Sequence, residues 1–146
     1  MAAIRPEGFP VERGKIHEFA NSLFDDHPLH HDLPLANAAG FRSVVAPITY
    51  ASAASFFAED GGMRLPEGVD LRFVLHGGQE FVFERPLIAG DLLTPTPGEL
   101  RTYEKAGRRG GTMKFIETET VYQDEAGEVV VRVRSTIIQT GGVVEG

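Results

Sequence analysis

Between Lys15 and Phe24 the apolar residues fall at Ile16, Phe19, Ala20 and Leu23. That is the i, i+3, i+4, i+7 spacing of one buried helix face. The polar stretch DDHPLHHD follows, from Asp25 to Asp32, and Pro28 forbids a continuous helix through it. Asp32 is a good N-cap, Pro34 suits a first turn and Gly40 a C-terminal stop, so a short helix is predicted from Leu33 to about Ala39. Phe41 to Ala46 reads as an extended link.

A third helix is predicted from Pro47 to about Ala58, opened by Pro47 and closed by Gly61 and Gly62. Its side chains are small: Ala51, Ser52, Ala53, Ala54, Ser55 and Ala58. A segment so small and uncharged is expected to lie buried against a sheet.

After Pro66 the period changes to two. Leu71, Phe73 and Leu75 alternate with Arg72, Val74 and His76, and Phe81 and Phe83 alternate with Glu80, Val82 and Glu84. Gly77 and Gly78 between these runs indicate a bulge or a close backbone approach. Leu100 to Lys105 and Thr112 to Gln123 form two strands joined by the tip AGRRGG. Val129 to Thr140 is the last strand, reached through a DEAG turn. Turns this short force antiparallel pairing. The expected class is α+β, a curved antiparallel sheet wrapped around one small-residue helix.

Composition narrows the functional classes. A chain of 146 residues with 42% hydrophobic content can build one core and reads as a single domain. The net charge of −7 argues against broad nucleic-acid binding. With no cysteine, disulfides, a zinc ribbon and a thiol nucleophile are excluded. No apolar run approaches a membrane span, and the opening MAAIRPEGFPVERG lacks the apolar core of a signal peptide. A cytoplasmic protein without membrane contact is therefore expected. Phosphate-loop, dinucleotide and nucleophile-elbow motifs are absent from the sequence.

The stretch Phe19 to Ala36, FANSLFDDHPLHHDLPLA, resembles the signature of MaoC-like (R)-specific enoyl-CoA hydratases and dehydratases. Phe19 fits the family's aromatic, Asp25 its Asp, Pro28 its Pro, Leu29 its aliphatic, His30 its His and Ala36 its small residue. Phe24 stands where the family has Gly, and His27 where it has Asn. Leu75 to Asp91, LHGGQEFVFERPLIAGD, resembles the strand and Pro-x-x-x-Gly-Asp turn of the family's dehydratase-type domain, with Pro86, Gly90 and Asp91 in the turn. The likeness runs from about residue 8 to 140 and extends to mycobacterial (3R)-hydroxyacyl-ACP dehydratase subunits. In those pairs one subunit holds the acyl chain and the other carries Asp and His. The resemblance implies a hot-dog fold, a homodimer or a heterodimer with a related subunit, and a CoA or ACP thioester substrate. It implies no metal or redox cofactor.

Hydrating a trans-2-enoyl thioester needs a base for water, an acid for the alpha carbon and donors for the enolate oxygen. Histidine can hold or release a proton near neutrality, and a neighbouring carboxylate can orient the same water. Asp25 and His30 would not share a face on a continuous helix, but they can converge on a loop broken by Pro28. Amides at Ile48 and Thr49, where the small-residue helix starts after Pro47, stand at the family's oxyanion position.

Other readings stay open from the residues alone. Asp25 can simply end the first helix, with His30 an ordinary loop histidine. His27, His30, His31, Asp25, Asp26 and Asp32 are metal-ligand types, but their spacing fits no metal motif. His31 and Asp26 read as solvated neighbours. His76, Gln79 and Pro47 are candidates for contact with the substrate, with a bland strand-edge role as the competitor for His76. Arg108 and Arg109 read as a solvated tip, with contact to CoA phosphates or an acidic carrier as the alternative. Phe56, Phe57, Phe73, Phe81 and Phe83 are assigned to the core. The main alternative to catalysis is a subunit that binds the acyl chain or scaffolds an active partner. Thioesterase chemistry is weaker, because the central helix bears only Glu59 and Asp60, at its end.

Overall fold

The computed structural model describes residues 8–58, 65–107 and 111–141. Helix α1 spans Arg13–Ser22; it buries Ile16 and Ala20 and packs Phe19 against the core as the helical spacing predicts, but Leu23 falls at its C-cap and is exposed. A single 3₁₀ turn, Pro28–His30, separates it from α2, Leu33–Ala38. The Asp32 side chain caps α2, accepting the Leu35 N–H at 2.9 Å.

Five strands form one antiparallel sheet: β1 Phe9–Pro10, β2 Val74–Phe83, β3 Leu92–Ala106, β4 Thr112–Gln123 and β5 Val129–Gln139, in the order β1-β3-β4-β5-β2. The expected β4 limits hold, and β5 ends one residue early. Two runs expected around Gly77 and Gly78 are one strand, β2, with the predicted irregularity between His76 and Gly78. A side chain at Gly77 would meet the Ile138 side chain at 2.8 Å, so the glycine lets the neighbouring strand approach. Leu71–Phe73 is a 3₁₀ turn capped by Asp70, not strand.

Strand β3 begins at Leu92, well before the expected Leu100. Pro95 and Pro97 conceal its first half. Among the described residues β1 pairs only with Leu92 and Leu93, and beyond them nothing pairs with that side of β3, so proline needs no ladder donor there. β1 itself, only two residues long, carries no sequence signal.

The central helix is shorter and tighter than expected. It spans Tyr50–Phe57 with 3₁₀ winding. Ser52 and Ser55 hydroxyls donate to the carbonyls of Thr49 and Ser52 at 2.8 and 3.0 Å, three residues back, which favours the tighter turn. Only Tyr50, Ala51 and Ala54 are buried. They pack with Phe9, Val11, Leu87, Leu93, Tyr122, Val130 and Val131, joining helix and sheet in one core. Phe57, Phe81 and Phe83 pack against that core, but Phe56 is 82% exposed and half-buried Phe73 lies in the Leu71–Phe73 turn, so neither belongs to it. Gly61, Gly62, Glu59, Asp60, Arg108 and Arg109 lie outside the described residues. The architecture is a curled antiparallel hot-dog sheet around a short helix, with β2 as the other edge strand among the described residues.

Candidate active site

Helix α1 ends in a hydrogen-bonded wrap that releases the chain toward the site. The Phe24 N–H donates to Asn21 C=O at 3.1 Å, and the Asp25 N–H reaches back to Ala20 C=O at 2.9 Å. This is a Schellman closure, and its left-handed residue is Phe24 at φ +57°. The backbone therefore takes a glycine-like conformation at the position where the related signature has Gly, and the Phe24 ring is 96% exposed.

His27, at the other departure from that signature, caps the next turn. Its Nδ1 accepts the Leu29 N–H at 3.3 Å, and its own N–H donates to Asp25 Oδ1 at 3.1 Å. Neither substitution opens the loop.

The turn brings Asp25 and His30 together, with His30 Nε2 3.3 Å from Asp25 Oδ2. The His30 side chain is 12% exposed and that of Asp25 37%, so the pair faces solvent through the carboxylate. Nδ1 of His30 donates to the Val45 carbonyl at 2.6 Å. A carbonyl only accepts, so this bond places the ring proton on Nδ1 and leaves Nε2 of the neutral imidazole as an acceptor. Two acceptors then face each other, and the hydrogen between them must come from a bound proton or a water molecule.

The Val45 N–H donates to Leu29 C=O at 2.9 Å, so one residue holds two successive residues of the 3₁₀ turn. The segment continues through Ala46 into buried Pro47, whose carbonyl accepts the Tyr50 N–H at 2.9 Å. Ile48 and Thr49 lie between them, exposed, at the entrance of the central helix. Among the described residues their N–H groups donate to no protein acceptor.

The link is braced from behind. Ala46 N–H donates to Leu87 C=O and Ala89 N–H to Val44 C=O, and the turn after Leu87 closes on Asp91. Asp91 is buried, pairs with Arg42 and Arg85, and accepts the Ile88 N–H at 2.9 Å.

His76 and Gln79 lie elsewhere. They are exposed on edge strand β2, joined by a 3.1 Å His76 Nε2 to Gln79 Oε1 contact, with Ser135 Oγ donating to the same oxygen. No contact among the described residues ties either to Asp25 or His30. Gln79 lines a groove of about 510 Å³ across the sheet, where Glu80, Glu119 and Arg134 form ion pairs; neither Asp25 nor His30 reaches it. Glu80, Glu99, Glu117 and Glu119 line that groove beside Arg101 and Arg134, so its lining is net acidic, and it lies apart from the Asp25–His30 pair.

His31 is not the free, solvated neighbour that the sequence suggested. Its Nε2 bonds the Asp25 carbonyl at 2.8 Å and its Nδ1 meets Nδ1 of His17 at 2.7 Å. These contacts span 6 and 14 residues, and no spacing rule exposes them. Among the described residues no three His, Asp or Glu side chains converge as metal ligands. No described helix is long and apolar enough to cross a membrane.

Comparison with known proteins gives the site its context. Residues 2–133 match the family described as FAS1-like, dehydratase domain region. A UPF0336 protein of Saccharopolyspora erythraea is 36% identical over 134 residues, covering 91% of this chain and 83% of that one. A UPF0336 protein of Thermobifida fusca is 33% identical over 144 residues, covering 97% and 90%. The HadBC (3R)-hydroxyacyl-ACP dehydratase complex of Mycobacterium tuberculosis contains a chain that superposes with TM-score 0.74 and 26% identity, covering 94% and 98%. The R-hydratase PhaJ1 of Pseudomonas aeruginosa shares the fold at TM-score 0.61 and 20% identity, over 99% and 90%.

Proposed function

The chain belongs to the FAS1-like dehydratase family, and from that premise we propose that it reversibly hydrates trans-2-enoyl thioesters, or dehydrates (3R)-hydroxyacyl thioesters, carried on CoA or ACP. One observation carries this reading: the His30 Nδ1 bond to Val45 leaves Nε2 as an acceptor 3.3 Å from the Asp25 carboxylate. A water donating one hydrogen to Nε2 and the other to Oδ2 satisfies both.

In the hydration direction the water oxygen bonds to C3 of the enoyl group while Nε2 takes its proton. The C2–C3 π electrons move toward C1, and charge collects on the thioester oxygen. The unpaired amides of Ile48 and Thr49, at the start of the central helix, stabilise that oxygen. The Asp25–His30 pair then returns one proton to C2, and the carbonyl re-forms. The proton taken from water equals the proton given to carbon, so the reaction needs no oxidant. Acid–base assistance is worth about 10²–10⁴ in rate and an oxyanion donor about 10²–10³. No metal or redox cofactor enters this scheme.

His76 and Gln79 would serve at the β2 edge rather than beside the reacting atoms. Among the described residues β2 and most of β3 have one side unpaired, which favours association with a second hot-dog chain. The HadBC complex and the ChsH1–ChsH2 complex of Mycobacterium tuberculosis are two-component neighbours of this fold. They favour a second reading, in which this chain holds or scaffolds an active partner.

Purified protein incubated with crotonyl-CoA and longer trans-2-enoyl-CoAs, followed by loss of the enoyl absorbance, decides between the readings. Turnover by the protein alone that collapses in both Asp25→Asn and His30→Ala is the expected result. Turnover only after a second MaoC-like chain is added, and unaffected by those substitutions, assigns the scaffolding role. Release of free thiol identifies a thioesterase instead.

A further inference from the structure

We propose that His17 and His31 are positioning residues for this reaction: they form a one-way hydrogen-bond chain from α1 that holds the backbone of Asp25. The proposal rests on the hydratase reading, whereas the hydrogen-bond chain itself is open to a separate spectroscopic test. The chain starts at Asn21, whose Nδ2 lies 3.1 Å from His17 Nε2. An amide nitrogen only donates, so Nε2 of His17 accepts and its proton sits on Nδ1. That Nδ1–H donates across 2.7 Å to Nδ1 of His31. His31 must then carry its own proton on Nε2, which donates to the Asp25 carbonyl at 2.8 Å. Each link fixes the tautomer of the next, and the last acceptor admits only one direction. The two rings meet edge to face, with centroids 4.8 Å apart at 88°.

The chain matters because of what else holds Asp25. Its N–H is tied to Ala20 C=O, and its Oδ1 accepts the His27 N–H. His31 secures the remaining backbone group, the carbonyl. With those three groups fixed, only Oδ2 is left to face His30. Phe24, just before it, sits at φ +57°, a conformation that an L-residue leaves readily unless held. The His31 bond supplies a hold on the far side of that strained residue.

The rings also have a spectroscopic signature. His17 and His30 should both be Nδ1–H tautomers and His31 an Nε2–H tautomer. Histidine-labelled protein at mildly alkaline pH, read by long-range proton–nitrogen NMR, reports each directly. Glutamine can place an amide donor where Nε2 of His31 stands, whereas asparagine reaches only to the Nδ1 position. His31→Asn should lower kcat on an enoyl-CoA about ten- to a hundredfold at unchanged KM, as misplacement of a reacting group does. His31→Gln should recover most of that loss. His31→Asn should also shift the His30 ring signals, and His31→Gln should not.

Equal kcat in wild type and His31→Asn, or equal loss in both variants, overturns the positioning role while the hydratase reading stands. If wild type turns over no enoyl thioester, the hydratase reading falls and NMR alone decides the hydrogen-bond chain. His17 and His31 both found as Nε2–H tautomers, with His30 signals indifferent to His31→Asn, would then overturn it.

Discussion

The backbone of Val45 grips the candidate site at two points: its carbonyl accepts from His30 Nδ1 at 2.6 Å, and its N–H donates to Leu29 C=O at 2.9 Å. A residue with no functional side chain thus sets both the tautomer of His30 and the position of the turn that carries it. Three residues farther along, the same segment supplies the free amide of Ile48. The Asp25–His30 turn and the amides at the entrance of the central helix are therefore tied to one segment.

Replacing His30 separates the two jobs of its ring. His30→Asn keeps a donor near the Nδ1 position and removes Nε2. It should fold with a wild-type unfolding midpoint and lose about 10²–10⁴ in turnover. His30→Ala removes the donor as well and leaves the buried Val45 carbonyl without its partner, costing about 1–3 kcal/mol more. Denaturant melts beside enoyl-CoA kinetics check both outcomes, and equal melts for the two variants would contradict the tautomer assignment.

Phe24 occupies a left-handed position that its side chain does nothing to repay, since the ring is 96% exposed. Phe24→Gly should relieve the backbone and raise stability by about 0.5–1 kcal/mol, after the greater entropy of glycine in the unfolded chain is allowed for. A rise of a few degrees in Tm is expected. Phe24→Ala should give no such rise, because alanine keeps the Cβ that makes φ +57° unfavourable.

Asp91 is the anchor behind the strap. Asp91→Asn removes the charge between Arg42 and Arg85 and weakens the turn whose neighbours, Leu87 and Ala89, hold Ala46 and Val44. A loss of about 3 kcal/mol is expected, the lower end for breaking a buried pair, because the Arg42 side chain is 55% exposed and can turn to water. Thermal unfolding measures it, and a loss under 1 kcal/mol would show that the turn stands without the pair.

Burial pushes the hydroxyls of Tyr50 and Tyr122 above the ordinary phenol value of about 10. The native state therefore keeps protons that the unfolded chain has released at high pH. Their stabilising effect is complete below about pH 10 and is lost as pH rises through the raised values. Tyr122→Phe should flatten the alkaline fall in unfolding midpoint. An unchanged alkaline slope would assign that fall to other groups.

At low pH the sign reverses. The Asp124 carboxyl lies below its usual range, chiefly because it accepts the Glu128 N–H, with Arg85 and the Ala126 N–H adding to this. Stability from this β4–β5 turn is present above the ordinary carboxylate range and disappears as pH falls through the lowered value. Asp124→Asn should show a shallower acid limb in a pH series of unfolding midpoints.

Local physics made much of this protein legible in its sequence. Phe81 and Phe83, two residues apart between Glu80 and Glu84, mark the end of β2, because side chains two apart on a strand share a face, and both pack against the core. Asp32 and Pro34 set the start of α2, because a capping carboxylate and a fixed φ act within one turn. Pro28 breaks the helical path, and the residues around it identify Asp25 and His30 as a possible pair. The first half of β3 was hidden because Pro95 and Pro97 are tolerated only once a free edge exists, which is a property of the assembled sheet. The exposure of Phe56 likewise follows from which side of the central helix the core covers, whereas its tight winding is favoured locally by the Ser52 and Ser55 hydroxyls. Tertiary structure alone decided that Val45 sets the tautomer of His30 and that His31 meets His17 across 14 positions. A backbone carbonyl has no signature in a sequence, and a hydrogen bond between distant segments exists only after packing has brought their ends within 3 Å.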